Sequence, residues 1–390
     1  MLRSLYSGIS GLRAHQTMLD VTGNNIANVN TQGFKSSSVQ FQDTLSQVTK
    51  SASSPQATAG GTNAAQVGLG VQVAGIATNF AQGSTQATGK STDMMISGDG
   101  FFITKHGGDT LYTRAGAMNP DAQGRLVTPD GGILQGWMAS PDGTVGTGAP
   151  VSDIVLSAGT TVPAAATGKA TAGGNLPADG AGSPLTRDIQ VYDALGNVSN
   201  IAMTFTHSTA TGNSWTVSAP GSPATTLTFD AQGNLPANTT MTAAGVTVDL
   251  STVTGFAGLS TVTAKADDGR AAGTLKSYSV SQDGTIVGSF SNGITQSVGQ
   301  VALATFTNPG GLEKAGNSSY SVTSNSGAAT TGTAGSAGMG TLASGVLEMS
   351  NVDLSQEFTN LIVAQRGFQA NARIITTSDE VLQELTNLKR

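Results

Sequence analysis

Two apolar rows with a seven-residue step, one at each end of the chain, set the strongest limit on what this sequence can fold into. Near the start, Leu5, Leu12, Leu19 and Ile26 recur every seven residues, with Leu2 and Ile9 at the companion spacing. Near the end, Leu354, Leu361, Phe368, Ile375 and Leu382 keep the same step, and Phe358, Ala364, Ala372 and Leu385 widen the row. This period puts each row on one side of a helix and suits it to packing against other helices. The closing helix is expected from about Val352 to Leu388, roughly 55 Å at about 1.5 Å per residue. Ser350 with Asp353 resembles a capping box there, with Asn351 as a competing cap. In the opening helix Gly8, Gly11 and Gly23 each cost about 1 kcal/mol relative to Ala, so packing has to decide whether it forms.

Between the ends the period changes to two. Ile201, Met203 and Phe205 alternate with Ala202, Thr204 and Thr206; Val246, Val248 and Leu250 alternate with Thr247 and Asp249; Val301 and Leu303 alternate with Ala302 and Ala304. These read as strands. A short repeat recurs at Asp121 to Gly124, Asp193 to Gly196 and Asp230 to Gly233, where Asp opens a type I turn and Gly closes it in the left-handed region. Low-complexity stretches at 51–67 and 324–344 flank the β region. The expected fold is mainly β, with nested all-β domains and long terminal α-helices pairing as a coiled-coil-like assembly domain. Its parts are 1–28 with 352–390, the helical assembly domain; 29–69 with 324–351, an extended linker; 70–144 with 273–323, an inner β domain; and 145–272, an outer β domain.

Composition removes most chemistry. The 390 residues contain no Cys, which excludes disulfide frameworks, thiolate nucleophiles and Cys-ligated zinc. His15, His106 and His207 stand far apart, and no dinucleotide loop, P-loop, zinc-protease or serine-elbow motif occurs. No enzyme activity, cofactor or metal is expected. The Asp-rich turns offer too few carboxylates for calcium loops. With 18 Lys and Arg against 24 Asp and Glu, and no basic cluster, nucleic acid is not an expected partner. Neither is membrane insertion, because no apolar run approaches about 18 residues. The first twenty residues lack the continuous apolar core of a secretory signal, so export, if it occurs, is expected without a cleaved signal peptide.

The segment Ala27 to Lys35, with Asn25, Ala27, Asn28, Asn30, Thr31, Gly33 and Phe34, resembles the signature of the bacterial flagellar rod and hook axial protein family. So do Gly98 to Phe102, Tyr112 to Arg114, Gly124 to Thr128, Leu347 to Leu354, and Gln365, Arg366, Gln369 and Asn371 near the end. Both ends and the first β domain carry the resemblance, whereas 145–272 holds no sharp motif. The extra length there falls where hook subunits carry an additional β domain. The resemblance implies a structural subunit that polymerises into a flexible tubular universal joint carrying torque from rod to filament, outside the cell. A distal rod or other axial protein is the alternative, with length as the argument against it. Implied partners are further copies of the chain, the distal rod protein, the hook–filament junction protein, the hook cap and the flagellar export apparatus.

A coiled coil between the two ends of one chain would use both rows, but it leaves Ile362, Ile374, Val381 and Leu388 without cover. Helices from neighbouring copies are therefore expected to complete the packing. The eleven positions Leu5, Ile9, Leu12, Leu19, Ile26, Leu354, Phe358, Leu361, Phe368, Ile375 and Leu382 are the expected polymerisation seam.

Overall fold

The computed structural model describes residues 2–55, 60–157, 159–208, 213–336 and 338–388, the side chains of Leu2 and Arg3 excepted. The side chain of the companion position Leu2, part of the 51–67 stretch and the extreme ends of the expected helical domain therefore lie outside what is described. The two long helices form as the seven-residue rows demand: α1 spans Leu2–Ala27 and α2 spans Leu354–Asn387. They run antiparallel, since Gly8 meets Ile375, Gly11 meets Asn371, Gly367 meets His15 and Asn25 bonds to Glu357. With no proline and only one glycine, α2 continues for 34 residues. Its cap is Asp353, which accepts from the N–H groups of Ser355 and Gln356. Neither Ser350 nor Asn351 caps it: the Ser350 hydroxyl accepts from Val352, and Asn351 is held by Ser36, Asn79 and Ala81.

Beyond α1, the strand Ser37–Asp43 pairs antiparallel with Val71–Thr78 and lies along α1. A shorter hairpin, Ser46–Lys50 with Ala65–Gly68, extends from it. The expected linker 29–69 is thus largely hairpin. The other half of that linker is also structured. Thr330–Thr333 pairs with Ala302 to Thr305, Thr341–Ser344 pairs with Met94–Ser97, and Ala334, Met339 and Leu342 are core residues. The stretch is thus paired strand with a few core residues and not a tether, although most of its small side chains stay at least partly exposed.

The inner body is a network in which 13 described strands join. At its centre Thr295–Thr305 lies beside Phe101–His106 and Ile133–Met138. Alternation sorts the side chains of these strands onto two faces, both buried. Phe102, Leu134, Val301 and Leu303 point into one cluster, while Phe101, Ile103, Ala302 and Ala304 enter an aromatic cluster with Tyr112, Trp137, Phe306 and Tyr320. The chain does not leave this body at 145, where the sequence suggested a boundary. Ser152–Asp153 still pairs with Gln135 and Gly136, Thr161–Val162 pairs with Gly273 and Thr274, and Ile154, Leu156 and Val162 belong to the inner core.

The outer body begins after a bridge between Ala165 and Arg270, whose backbones exchange two hydrogen bonds of 3.0 Å. Two four-stranded sheets enclose its core. One is the meander Leu185–Tyr192, Val198–Ser208, Ser214–Ser218 and Thr225–Thr228; the other orders Thr240–Ala243, Val246–Thr254, Lys169–Asn175 and Thr263–Ala266. Ile201, Met203, Phe205, Trp215, Val248 and Leu250 fill the space between them. The repeated Asp turns form as expected: Gly124, Gly196 and Gly233 have φ of 80°, 84° and 76°, and each donates to the carbonyl of its Asp. Those at Asp121 and Asp193 join paired strands, whereas the turn at Asp230 does not.

Candidate functional site: the helix pair and its neck

Small residues bring α1 and α2 together. A Cβ at Gly8 would stand 3.4 Å from Ile375, one at Gly11 only 2.7 Å from the Asn371 amide, and one at Gly367 2.5 Å from the His15 ring. Ala14 on α1 and Ala364 on α2 are buried as well. Two of the glycines that weaken α1 in isolation are therefore its points of contact, and Asn371 of the family signature packs on one of them. Gly23 alone faces open space. His15 serves as packing against Gly367 and Phe41, with ring centroids 6.1 Å apart in the latter pair.

This pairing covers the expected seam only in part. Leu5, Leu12, Leu19, Ile26, Leu361, Phe368, Ile375 and Leu382 are half-buried, whereas Ile9, Leu354 and Phe358 are exposed. Around them Tyr6, Ile362, Val363, Ile374, Val381, Leu385 and Leu388 are exposed as well, so an apolar face runs the length of α2. Only Ala364 of its described residues is fully buried. Gln365, Arg366 and Gln369 lie on exposed surface, and among the described residues Arg366 and Arg373 form no ion pair with Asp379, Glu380 or Glu384.

Where the helices meet the inner body, the signature residues build a neck. Buried Asn25 closes a reciprocal pair with Ser37, donating to its carbonyl at 2.8 Å and accepting from its N–H at 3.0 Å, and also donates to Glu357. Asn28 bonds back to Asn24 and accepts from Thr31. Gly33 has φ of 65°, and a Cβ there would lie 2.6 Å from the Ala115 backbone; its N–H donates to the Glu348 carbonyl. The Phe34 ring lies under the Lys314 ammonium at 5.4 Å. Ala27 and Asn30 are exposed.

At the centre of the neck is a charged cluster with no access to water. Lys35 donates to Glu348 at 2.6 Å and to the Ala81 carbonyl at 2.8 Å, and the side chains of both Lys35 and Glu348 are 0% exposed. Glu348 Oε1 also accepts from Gly83 N–H. Arg114 sits 3.6 Å from the other Glu348 oxygen, donates to the Gly98 carbonyl and stacks over Phe101. Burial pulls both cations below their ordinary pKa values, opposed by the Glu348 charge and hydrogen bond. Burial likewise pushes the nearby Tyr320 hydroxyl up to about 12. All three charged residues stand inside the signature segments, but nothing in their spacing says that they meet. The one clue is that each interrupts otherwise apolar or small neighbours. Beside the cluster is a cavity of about 810 Å³ between the end of α1 and the inner body, bordered by Asn28, Thr31, Thr113, Lys314 and Tyr320.

Three family descriptions match the chain: "Flagella basal body rod protein" over residues 5–35, "Flagellar hook protein FlgE/F/G D1 domain" over 95–199, and "Flagellar basal body rod FlgEFG protein C-terminal" over 343–388. The chain is 43% identical to the flagellar hook protein FlgE of Borreliella burgdorferi, with both chains covered in full. It is 36% identical to the flagellar basal-body rod protein FlgG of Bacillus subtilis, again with full coverage of both. Among solved structures, a Helicobacter pylori flagellar hook protein FlgE2 matches with a TM-score of 0.47 at 14% identity, covering 66% of this chain and 98% of its own.

Proposed function

The chain belongs to the flagellar hook protein FlgE family, and on that premise we propose that its terminal helix pair is the surface through which hook subunits join. The protein is a structural subunit of the hook, outside the cell, where its copies polymerise into the joint between rod and filament. The observation that supports the helix pair as the joining surface is the apolar face left open on α2: Phe358, Ile362, Val363, Ile374 and Val381 are each about half exposed. Burying such a side chain completely is worth about 1.5–3 kcal/mol, so with half of each already covered a neighbouring copy returns up to about 1–1.5 kcal/mol per residue. Contacts of this kind repeat from copy to copy, and a rotation that does not close gives a helical tube.

In this reading the inner tube wall is cohesive, and the β bodies touch outside it through polar Thr- and Gly-rich surfaces. Such outer contacts have low barriers to sliding, as a bending joint needs. The partners proposed with it are the distal rod protein, the junction protein, the hook cap and the export apparatus. The rod remains the second reading, because a rod-named relative matches the full length. Ile362→Asp tests the surface, since a carboxylate is costly to bury in an apolar contact. The expected result is no tubes by electron microscopy while the β bodies melt as in the unaltered chain; normal tubes would contradict the assignment. Curved tubes from the unaltered protein indicate hook, and straight ones indicate rod.

A further inference from the structure

We propose that the buried Lys35–Glu348–Arg114 cluster is a pose-fixing joint, which sets the angle between the helix pair and the inner β body. Its three members come from the exit of α1, the approach to α2 and the end of the inner strand Asp109–Thr113. No other described ion pair links these segments: the third bridge among the described residues, Arg125 with Asp121, is local to one turn. The surrounding contacts converge on the same point. Gly33 N–H reaches the Glu348 carbonyl, Asn351 ties Ser36 to Asn79 and Ala81, and Gly83 N–H reaches the Glu348 carboxylate.

Two further features assign the cluster to positioning instead of cohesion. On one flank the cavity of about 810 Å³ leaves the end of α1 and the inner body without close packing, so apolar contact does not set their angle there. Within the cluster, two cations face one carboxylate, and both Glu348 Oε2 and Arg114 Nε are buried without hydrogen-bond partners among the described residues. Charges removed from water in this way add little cohesion over apolar side chains of the same size, while their directional bonds disfavour other arrangements. A slip of α2 by one seven-residue step, roughly 10 Å, would pull on Glu348 five residues before the Asp353 cap, and Glu348 would then have to leave both Lys35 and its strand partner Thr85, breaking the buried charge pair. The seven-residue rows alone do not forbid such a slip.

The test exploits the absence of cysteine. Arg373→Cys on α2 and Asp109→Cys on the inner body, both exposed, carry a spin-label pair. The labelled full-length chain is doped at low ratio into tubes of unlabelled protein, and the inter-label distance distribution is measured. The apolar triple variant Lys35→Met, Arg114→Met, Glu348→Leu is compared with the unaltered cluster, and melting of the β bodies is followed by Trp137 and Trp215 fluorescence. The expected result is incorporation of the triple variant into the tubes, β-body melting within a few degrees of the parent and a distance distribution at least twofold wider; exclusion of the variant from the tubes would overturn the proposal, because the cluster would then serve assembly itself. A width equal to the parent's would overturn the proposal, and so would loss of the folded inner body, which would make the cluster a source of cohesion. Because the tubes are built from unlabelled parent chains, failure of the joint is distinguishable from failure of the assembly surface.

Discussion

The terminal helix pair and the outer β body bury their apolar residues in opposite ways. In the outer body, Met203, Phe205, Trp215, Leu227 and Leu250 are all removed from water within one chain. In the helix pair the large apolar side chains are half-buried or exposed, and the buried positions are the small or polar Gly8, Gly11, Ala14, Thr22, Asn25 and Ala364. A two-layer sandwich closes on itself, whereas two helices touch along one line and leave the rest of each apolar row outside. The difference separates a region that is finished in the single chain from one that leaves apolar surface open, the surface that the proposed assembly would cover.

The largest test of that contrast removes the outer body altogether. Excising 166–269 and joining the bridged ends at Ala165 and Arg270 should leave the inner body folded and assembly intact, with tube curvature changed, as electron microscopy would read. Loss of assembly would show that the outer body contributes cohesion and would break the comparison. Next in size is Phe205→Ala, which leaves a void between the two sheets and should destabilise the outer body by about 3–5 kcal/mol. Trp215 fluorescence should report earlier melting while tubes still form.

A paired substitution in α1 sharpens the helical side. Gly11→Ala drives a methyl group into Asn371 and should weaken the helix pair by about 1–3 kcal/mol. Gly23→Ala meets nothing within 4 Å and should stabilise α1 by about 1 kcal/mol. The critical concentration for assembly should rise in the first and fall in the second; equal effects would mean that the glycines are not contact points.

The smallest effect concerns alkali. The Tyr320 hydroxyl is raised from 10.0 to about 12, so the folded inner body holds a proton that the unfolded chain gives up. Stability from this group is complete below pH 10 and is lost as pH rises towards 12, by up to about 2 kcal/mol. The outer core cluster contains no tyrosine and should not share this loss. Burial also raises Tyr112 and Tyr278 in the inner body, so Tyr320→Phe should reduce, without abolishing, the alkaline dependence of inner-body melting and leave the outer body unchanged, as thermal denaturation from pH 9 to 11.5 would show.

Much of the fold was legible because it depends on near neighbours. The Asp-to-Gly turns are decided within a few residues by a carboxylate that accepts backbone N–H groups and a glycine with positive φ. The alternation at Ile201 to Phe205 and at Val246 to Leu250 directly predicted strands with one buried side. The low-complexity stretch around 330–344 misled for the same reason: its small residues look like a tether until the strands that they pair with are known. For the candidate site, the seven-residue rows identified the helices and their apolar positions but not which of those positions the chain covers itself.

What the sequence determined by itself is therefore periodic or local: a helix at each end, strands between, turns at the Asp–Gly steps, and chemistry excluded by missing residue types. What only the tertiary structure decided are encounters between distant residues: Gly11 under Asn371, Ile154 and Val162 in the inner core, and Lys35 against Glu348 across 313 positions. Periodicity survives in a linear string because it repeats. Burial and charge pairing do not, because their energies depend on what the rest of the chain brings within a few ångströms.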